Sequence, residues 1–408
     1  MHILLLNQYF PPDTSATANI AAAVAETLSK RHRVTVLAGR PSYDPQEHYP
    51  YSFLQREARN GFVVERVGST AFPRHRMRRR IANYLSYISL AIPRALSMKS
   101  DLVLAMTDPP FAGIAGAMIA RLKGVPFVYN IRDLYPDMAL GGEIVQKRSW
   151  VKLWERMHKS ALRSAARVIV LGDDMRERIL AKGVAPERVV VIRDGASPAW
   201  PLVPDNHPAI REIRGSASFV VLHAGNLGFY GAWPTLLEAA RSFNGDGVQL
   251  VFVGDGANRS RMEDESRVSA TIRFLPFRPR EEIPHVMAAG DLHVVTIRRG
   301  LSGVVVPSKL YSILAAGRPI LVVAPEETDA ARIVRENDCG LVADPDNPAG
   351  VAAAIRALRN DPVRLRAMGH RALEASKKYA RVTELDKFIG VIEHAARPES
   401  PGGKNLER

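Results

Sequence analysis

Short, continuously apolar runs alternate along this chain with stretches whose apolar residues fall at helical spacing. Residues 3–6 form the first run, ending in Asn7-Gln8 and the Pro11-Pro12 turn. Residues 16–28 follow with a helical pattern, and residues 34–37, closed by Gly39, form the next run. Strands that are apolar on both faces and are joined through helices signal a parallel sheet covered on both sides. The same alternation predicts strands at 63–67, 102–106, 127–131, 168–171 and 189–192. It predicts helices from Phe111 and over 150–164.

The pattern breaks at Arg193. Asp194-Gly195, Pro198, Pro201, Pro204, Asp205-Asn206 and Pro208 read as a linker. The alternation then restarts with strands at 220–223, 250–253, 272–275, 292–297, 320–323 and 340–342, and 348–396 reads as helical. The expected fold is therefore α/β, with two doubly wound, Rossmann-like domains facing across a cleft. The first is expected over 1–195 and the second over 216–380, with a linker at 196–215. The polar end, 397–408, is expected to be a disordered tail.

In open sheets of this kind, ligands bind beyond the carboxyl ends of the strands. Asn7, Thr107-Asp108, Arg132-Asp133, Gly225 to Gly228, Gly254 to Gly256 and the turn from Arg298 to Lys309 all fall there. The last is the most distinctive. A strand feeds a turn with Gly300 and Gly303, Pro307 opens a helix, Ser308 and Lys309 occupy its first turn, and Gly317-Arg-Pro319 follows its end. Helices normally place acid at the start, and this one places Lys309. That reads as a phosphate seat, or as a plain loop–helix junction with a solvated lysine.

Composition narrows the choice. The chain has 408 residues, 46% hydrophobic and 24% charged, as in an ordinary multidomain globular protein. With one cysteine, Cys339, it can form neither an internal disulfide framework nor a cysteine metal site, which suits a reducing compartment. The start carries no basic front before its apolar residues, so no signal peptide is expected. The longest apolar run, 111–120, is too short to span a bilayer. These readings point to a cytoplasmic location. The net charge of +14 favours nucleic acid, anionic lipid or phosphorylated substrates. No nucleic-acid motif accompanies it. Arg74, Arg76, Arg78, Arg79 and Arg80 precede an apolar, aromatic segment, 81–92. That suits an anionic membrane surface, and equally a solvated loop before a core helix. No metal cluster is visible, and His223 reads as structural.

Together, Gly225-Asn-Leu-Gly228 with Leu236-Leu-Glu-Ala239, Val253-Gly-Asp-Gly256, and Val306-Pro-Ser-Lys-Leu-Tyr311 with Ala316-Gly-Arg-Pro319 resemble the retaining glycosyltransferases of family four, which have the GT-B fold. Arg132-Asp-Leu-Tyr-Pro136 is similar to the branch that builds exopolysaccharide and O-antigen units. The resemblance implies a hexosyl transfer from a nucleotide diphosphate sugar, without metal or other cofactor, to a lipid-linked saccharide at the inner face of the cytoplasmic membrane. It implies a donor site in the second domain: Gly225, Asn226, Gly228, Gly254, Gly256, Pro276, Phe277, Arg298, Arg299, Ser302, Gly303, Pro307, Ser308, Leu310 and Ser312. It implies acceptor contacts in the first domain at Asp13, Asp108 and Arg132, and a final helix, 381–396, that crosses back to that domain. Asp133 and Lys309 are the expected catalytic pair. For Asp133 the other reading is a cap of the turn before Pro136, and for Asp13 a cap of the helix at Ala16.

The chain departs from the family pattern at two places. Many members carry two glutamates flanking a seven-residue gap, where this chain has Val304 and Ser312. Many also place an arginine and a lysine at positions that fall near Asn226 and Gly231. The cation for a diphosphate is therefore expected from Lys309, with Arg298 or Arg299 in support. The missing pairs also leave room for a non-catalytic nucleotide-sugar-binding subunit of an assembly complex, or a sugar-nucleotide epimerase.

Overall fold

The computed structural model describes residues 1–42, 49–73, 76–142, 149–201, 203–204, 206–267 and 269–397. Arg74 of the basic run, Asp205 of the linker and the tail beyond Arg397 lie outside the described residues.

The first domain runs β1 (His2–Leu6), α1 (Ala16–Ser29), β2 (Arg33–Gly39), β3 (Leu54–Arg59), β4 (Phe62–Val67), α2 (Met77–Ser97), β5 (Leu102–Ala105), α3 (Ala112–Lys123), β6 (Phe127–Asn130), α4 (Asp137–Gly141), α5 (Ser149–Ser164), β7 (Arg167–Val170), α6 (Asp173–Ala181) and β8 (Val189–Val191). Its sheet is ordered β3-β4-β2-β1-β5-β6-β7-β8. Every pairing is parallel except β3 with β4. β3 has no counterpart among the strands expected from the sequence. It is a polar edge strand, Leu-Gln-Arg-Glu-Ala-Arg, mostly exposed, so no apolar run announces it.

The second domain runs α7 (Pro208–Arg214), β9 (Phe219–Ala224), α8 (Trp233–Arg241), β10 (Val248–Val253), α9 (Arg259–Ser266), β11 (Ile272–Leu275), α10 (Ile283–Ala289), β12 (Leu292–Thr296), α11 (Lys309–Ala315), β13 (Ile320–Val323), α12 (Asp329–Glu336), β14 (Gly340–Ala343), α13 (Pro348–Arg359), α14 (Pro362–Lys378) and α15 (Arg381–Ala395). Its six strands are ordered β11-β10-β9-β12-β13-β14 and are all parallel. The six runs expected after the linker are these six strands. The stretch expected as linker contains α7, whose Ile210 and Ile213 are buried.

Central strands are sealed on both faces. Ile3, Leu4 and Leu5 of β1 and Val220 to Leu222 of β9 are fully buried. Each such side chain contributes about 1.5–3 kcal/mol of burial. The last helix returns to the first domain. Phe388, Val391, Ile392 and Ala395 of α15 join the core formed by Ile3, Leu5 and the α1 stripe Ile20, Ala21, Val24 and Leu28.

The two domains touch along the cleft. Asp133 and Val305 form an antiparallel bridge. Arg178 of α6 donates to the Gly300 carbonyl at 3.1 Å, and Asp174 accepts from the Gly303 amide at 3.1 Å. Arg193, just after β8, binds Asp329 at the start of α12 through 2.9 and 3.1 Å hydrogen bonds.

Candidate active site

The carboxyl ends of β6 and β9 face each other across a cavity of about 440 Å³. Arg132 and Asp133 form one wall. Gly225, Asn226 and the turn from Val305 through Ser308 to Lys309 and Ser312 form the other.

On the first-domain wall, the Thr107 hydroxyl accepts from the Arg132 amide at 3.2 Å and from the Asp133 amide at 3.4 Å. This fixes the turn that follows β6. The Arg132 guanidinium donates to the buried Asp194 carboxylate, and Arg132 itself is only slightly exposed. Asp133 is half-buried. Burial first, and then the charge of Asp108, push its carboxyl up to about 7, against the pull of Arg132 and Arg80. A carboxyl that changes charge near neutrality in a cleft is suited to hold or pass a proton.

On the second-domain wall, Gly225 directly follows β9, with φ +131°. Gly254, with φ +144°, directly follows β10 beside it, and a Cβ there would lie 2.1 Å from the Gly225 carbonyl oxygen. Only glycine lets the two strand ends nest this closely. A Cβ on residue 225 would lie 3.4 Å from Lys309 Nζ, so the lysine stands directly over the bare backbone. Lys309 begins α11, with Ser308 before it. Its Nζ is 2.7 Å from His223 Nε2 and 5.9 Å from the centre of the Tyr230 ring. Burial pushes the ammonium down to about 7. The cavity therefore offers a cation with few partners and a bare backbone, opposite a carboxyl held near neutrality.

The description "Glycosyl transferase 4-like domain" matches residues 15–195, and "Glycosyl transferases group 1" matches residues 218–361. The chain belongs to the family-four glycosyltransferases. It is 26% identical over 335 residues to the protein named glycosyltransferase WbjE of Pseudomonas aeruginosa, covering 79% of this chain and 82% of that one. It is 24% identical over 385 residues to WcaI of Escherichia coli K12, named as a colanic acid biosynthesis glycosyl transferase, covering 87% of this chain and 91% of that one. HepE of Anabaena, solved with UDP and glucose, superposes with a TM-score of 0.70 at 18% identity, covering 96% of this chain and 99% of HepE. The fold is GT-B.

The residues expected at this glycosyltransferase's site divide into three groups. Arg132, Asp133, Gly225, Asn226, Pro307, Ser308, Lys309 and Ser312 line the cavity. Gly228, Gly254, Gly256 and Leu310 shape it from behind, while Gly303 meets Asp174 of the first domain outside it. Gly228 accepts from Trp233 Nε1 at 2.7 Å, Gly256 packs on Asn226 and Leu227, and Leu310 is buried in the core. Asp108 also acts from behind, through its charge on Asp133.

The others lie elsewhere. Asp13 is buried, accepting from the Phe10 and Ser42 amides at 3.3 and 2.9 Å. It does not cap α1. Ser15 does, accepting from Ala18 N at 3.0 Å, because Ser15 directly precedes the first helical residue. Arg298 does not line the cavity; its guanidinium donates to the Gly141 carbonyl across the cleft. Arg299 is exposed and paired with Asp344 and Asp346 at 2.8 and 2.5 Å. Neither supports Lys309, because each is engaged outside the cavity. The Ser302 hydroxyl donates to Glu327 at 3.0 Å, and Pro276 and Phe277 are exposed beyond β11. At the family's glutamate positions, Val304 is buried and Ser312 faces the cavity.

Sequence reasoning missed His223, Tyr230 and Asp194 as site residues. His223 had one weak signal, a polar residue near the end of an apolar strand. The other two become visible only through their partners, Lys309 and Arg132.

Proposed function

We propose that this glycosyltransferase is a retaining hexosyltransferase that takes its sugar from a nucleotide diphosphate sugar. The acceptor is a hydroxyl of a lipid-linked saccharide in cell-surface polysaccharide biosynthesis. The observation that carries this reading is the Lys309 ammonium standing over Gly225 at the end of β9. A diphosphate placed there would receive a charge-assisted hydrogen bond and close backbone approach. Stabilising the leaving diphosphate while positive charge develops on the sugar would be the main catalytic effect. Lys309 supplies that charge from the protein itself, which supports a mechanism without metal. Asp133, facing Lys309's wall from the acceptor domain, is the group to meet the incoming hydroxyl. The complexes of HepE with UDP and glucose support a nucleotide sugar as the donor class.

The surface of the first domain supports a lipid-linked acceptor at the inner face of the cytoplasmic membrane. α3 packs against both α2 and α5, so the three helices share one face. Met77, Ile81, Leu85, Leu122, Trp150 and Leu153 are exposed there. Arg78, Arg79, Arg121, Lys152 and Arg156 are exposed among them. Apolar side chains set among cations fit an anionic bilayer surface. Of the basic run, Arg80 turns inward, with its Nε donating to the Tyr84 hydroxyl. Tyr84 and Tyr87 are buried, so the aromatics of α2 serve the core and not the surface. Among the described residues no helix is long and apolar enough to cross a membrane.

The test is a product-release assay with a panel of nucleotide sugars and a polyprenyl-linked saccharide. Turnover with one donor, and release of the nucleoside diphosphate only when acceptor is present, is expected. Release without acceptor would favour an epimerase. Binding without turnover across the whole panel would overturn the transferase reading.

A further inference from the structure

His223 is a histidine with no exposed surface, set in the strand that ends at the cavity. Trp233 packs edge-on against it at 4.9 Å, and Phe252 lies at 5.9 Å. An apolar residue would fill such a place with less cost, since a buried imidazole needs a partner. The partner is Lys309 Nζ, 2.7 Å from Nε2. A charged ammonium can only donate, so against it Nε2 is bare and accepts, with the ring proton on Nδ1; a neutral amine also carries a lone pair and pairs with either tautomer. The aromatic enclosure and the adjacent lysine both hold His223 neutral.

We propose that His223 is a positioning residue for the donor's phosphates: it holds Lys309 over Gly225 as a group that takes up a proton from solvent when an anion enters the cavity. The inference rests on the reading of this cavity as the diphosphate site. Among the described residues, four groups face Lys309. His223 accepts from it below, the Tyr230 ring lies 5.9 Å away, and Asp133 and the Arg132–Asp194 pair stand across the cavity. Arg132 is already matched to Asp194, and the Asp133 carboxyl changes charge only near neutrality. Among the described residues the lysine therefore has no fixed counter-charge, and burial alone lowers its ammonium to about 7. A diphosphate would supply the missing charge. The proton comes from bulk buffer onto Nζ, and the His223 contact survives the change, because either form of the lysine can donate to Nε2.

Two measurements on the full chain test this. In the first, the lysine ¹³Cε resonances of the ligand-free protein are titrated. One resonance should turn over near neutrality and vanish in Lys309→Arg. In His223→Leu its midpoint should fall by about one pH unit, since the charged form loses an acceptor, and His223→Gln should restore it. Should His223→Leu fail to fold, His223→Asn, whose shorter side chain falls short of Lys309, serves with the Gln variant. In the second, UDP is titrated calorimetrically in MOPS and in Tris, two buffers of different ionisation enthalpy that carry no phosphate. Proton uptake should rise from near zero at pH 6 towards pH 8, and Lys309→Arg should remove most of that rise, the remainder belonging to the Asp133 carboxyl across the cavity. At pH 7, His223→Leu should bind UDP about tenfold more weakly, and His223→Gln nearly as the natural chain.

A Lys309 resonance with the ordinary lysine midpoint near 10.4 overturns the proposal. So does an unchanged midpoint and UDP affinity in His223→Leu. Failure of the natural chain to bind UDP or any other nucleoside diphosphate overturns the donor reading instead, and the lysine titration still decides the His223–Lys309 relation.

Discussion

Asp133 is bound to Val305 by backbone pairing across the cleft, and the next amide, Leu134 N, lies 3.0 Å from the Val304 carbonyl. The loop after β6 and the loop into α11 are thus one short antiparallel ladder formed from both domains. It sets Asp133 and Lys309 on opposite walls of the same cavity. The backbone of residue 133 holds the domains in register while its carboxyl is free to act in the cleft, so the two roles can be separated by mutation.

Asp133→Asn should keep the ladder and lose the chemistry. Loss of a positioned acid–base group typically lowers turnover by about 10²-fold or more. The stability effect has a defined sign. The carboxyl is pushed up to about 7 in the folded chain, above its ordinary value of about 3.9. A raised carboxyl contributes stability below the lower value and loses it as pH rises through the upper one. The natural chain therefore carries a cost at pH 8 that Asn does not. Thermal melts should show Asp133→Asn more stable than the natural chain at pH 8 and level with it at pH 4. Equal shifts at the two pH values would refute this.

Lys309→Ala should separate phosphate from nucleoside. It removes a charge-assisted hydrogen bond worth about 1.5–3 kcal/mol, so UDP affinity should fall about tenfold or more. Uridine should bind almost as before. Because burial lowers the ammonium to about 7, ionising it costs stability as pH falls from about 10 through 7. The melting temperature at pH 6 should accordingly hold or rise in the variant. Equal losses for UDP and uridine in calorimetry would make Lys309 structural.

Much of the scaffold was legible because buried parallel strands write continuous apolar runs, and every strand of the second sheet did so. β3 did not, because an exposed edge strand has no apolar face to display. α7 hid inside a proline-rich stretch whose punctuation outweighed two isoleucines three residues apart. Asp13 and Ser15 are both plausible caps by type, and only the hydrogen bond to Ala18 decides between them. At the site, Gly225, Arg132, Asp133 and Lys309 were legible as strand-end or helix-start residues. The cation partners were not. Arg298 and Arg299 sit next to the cavity in sequence, yet each is captured by a group brought close only by folding, Gly141 and the pair Asp344 and Asp346. His223 meets Lys309 across 86 residues of sequence, and Arg132 meets Asp194 across 62.

The Arg193–Asp329 pair should govern how the two domains are held. Asp329 is almost fully buried and Arg193 nearly so, with hydrogen bonds of 2.9 and 3.1 Å. The pair sits in a four-membered network, since Arg332 also binds Asp329 and Asp173 also binds Arg193. Removing Arg193 therefore leaves Asp329 one cation and should cost less than the about 3–5 kcal/mol typical of stranding a buried charge. Arg193→Met should lower the melting temperature by several degrees, and small-angle scattering should report a larger radius of gyration. Asp329→Asn with Arg193→Met should recover part of the loss, since the buried charge left with one cation is then removed. A double variant as unstable as the sum of the singles would mean the two residues act independently.

The exposed face of α2, α3 and α5 makes a last prediction. Ile81 and Leu85 lie one turn apart on α2 with Arg78 and Arg79 beside them, and Trp150 and Leu153 extend the apolar surface along α5. Neither Ile81 nor Leu85 is buried in the core, so replacing both with glutamate should leave the fold and the melting temperature nearly unchanged. The pair of acids should oppose an anionic surface and remove apolar anchoring together. In flotation with vesicles of phosphatidylcholine and phosphatidylglycerol, the natural chain should float at low salt and release as salt rises, because each surface cation contributes about 1 kcal/mol that ions screen. The Ile81→Glu, Leu85→Glu variant should remain at the bottom of the gradient. Arg78→Gln with Arg79→Gln should float more weakly and with a shallower salt dependence, since Arg121, Lys152 and Arg156 remain on that face. Turnover with a water-soluble acceptor should match the natural chain in all of them, because none of these side chains lines the cavity between Asp133 and Lys309. Flotation of the glutamate variant as strong as that of the natural chain would remove this face as the membrane contact.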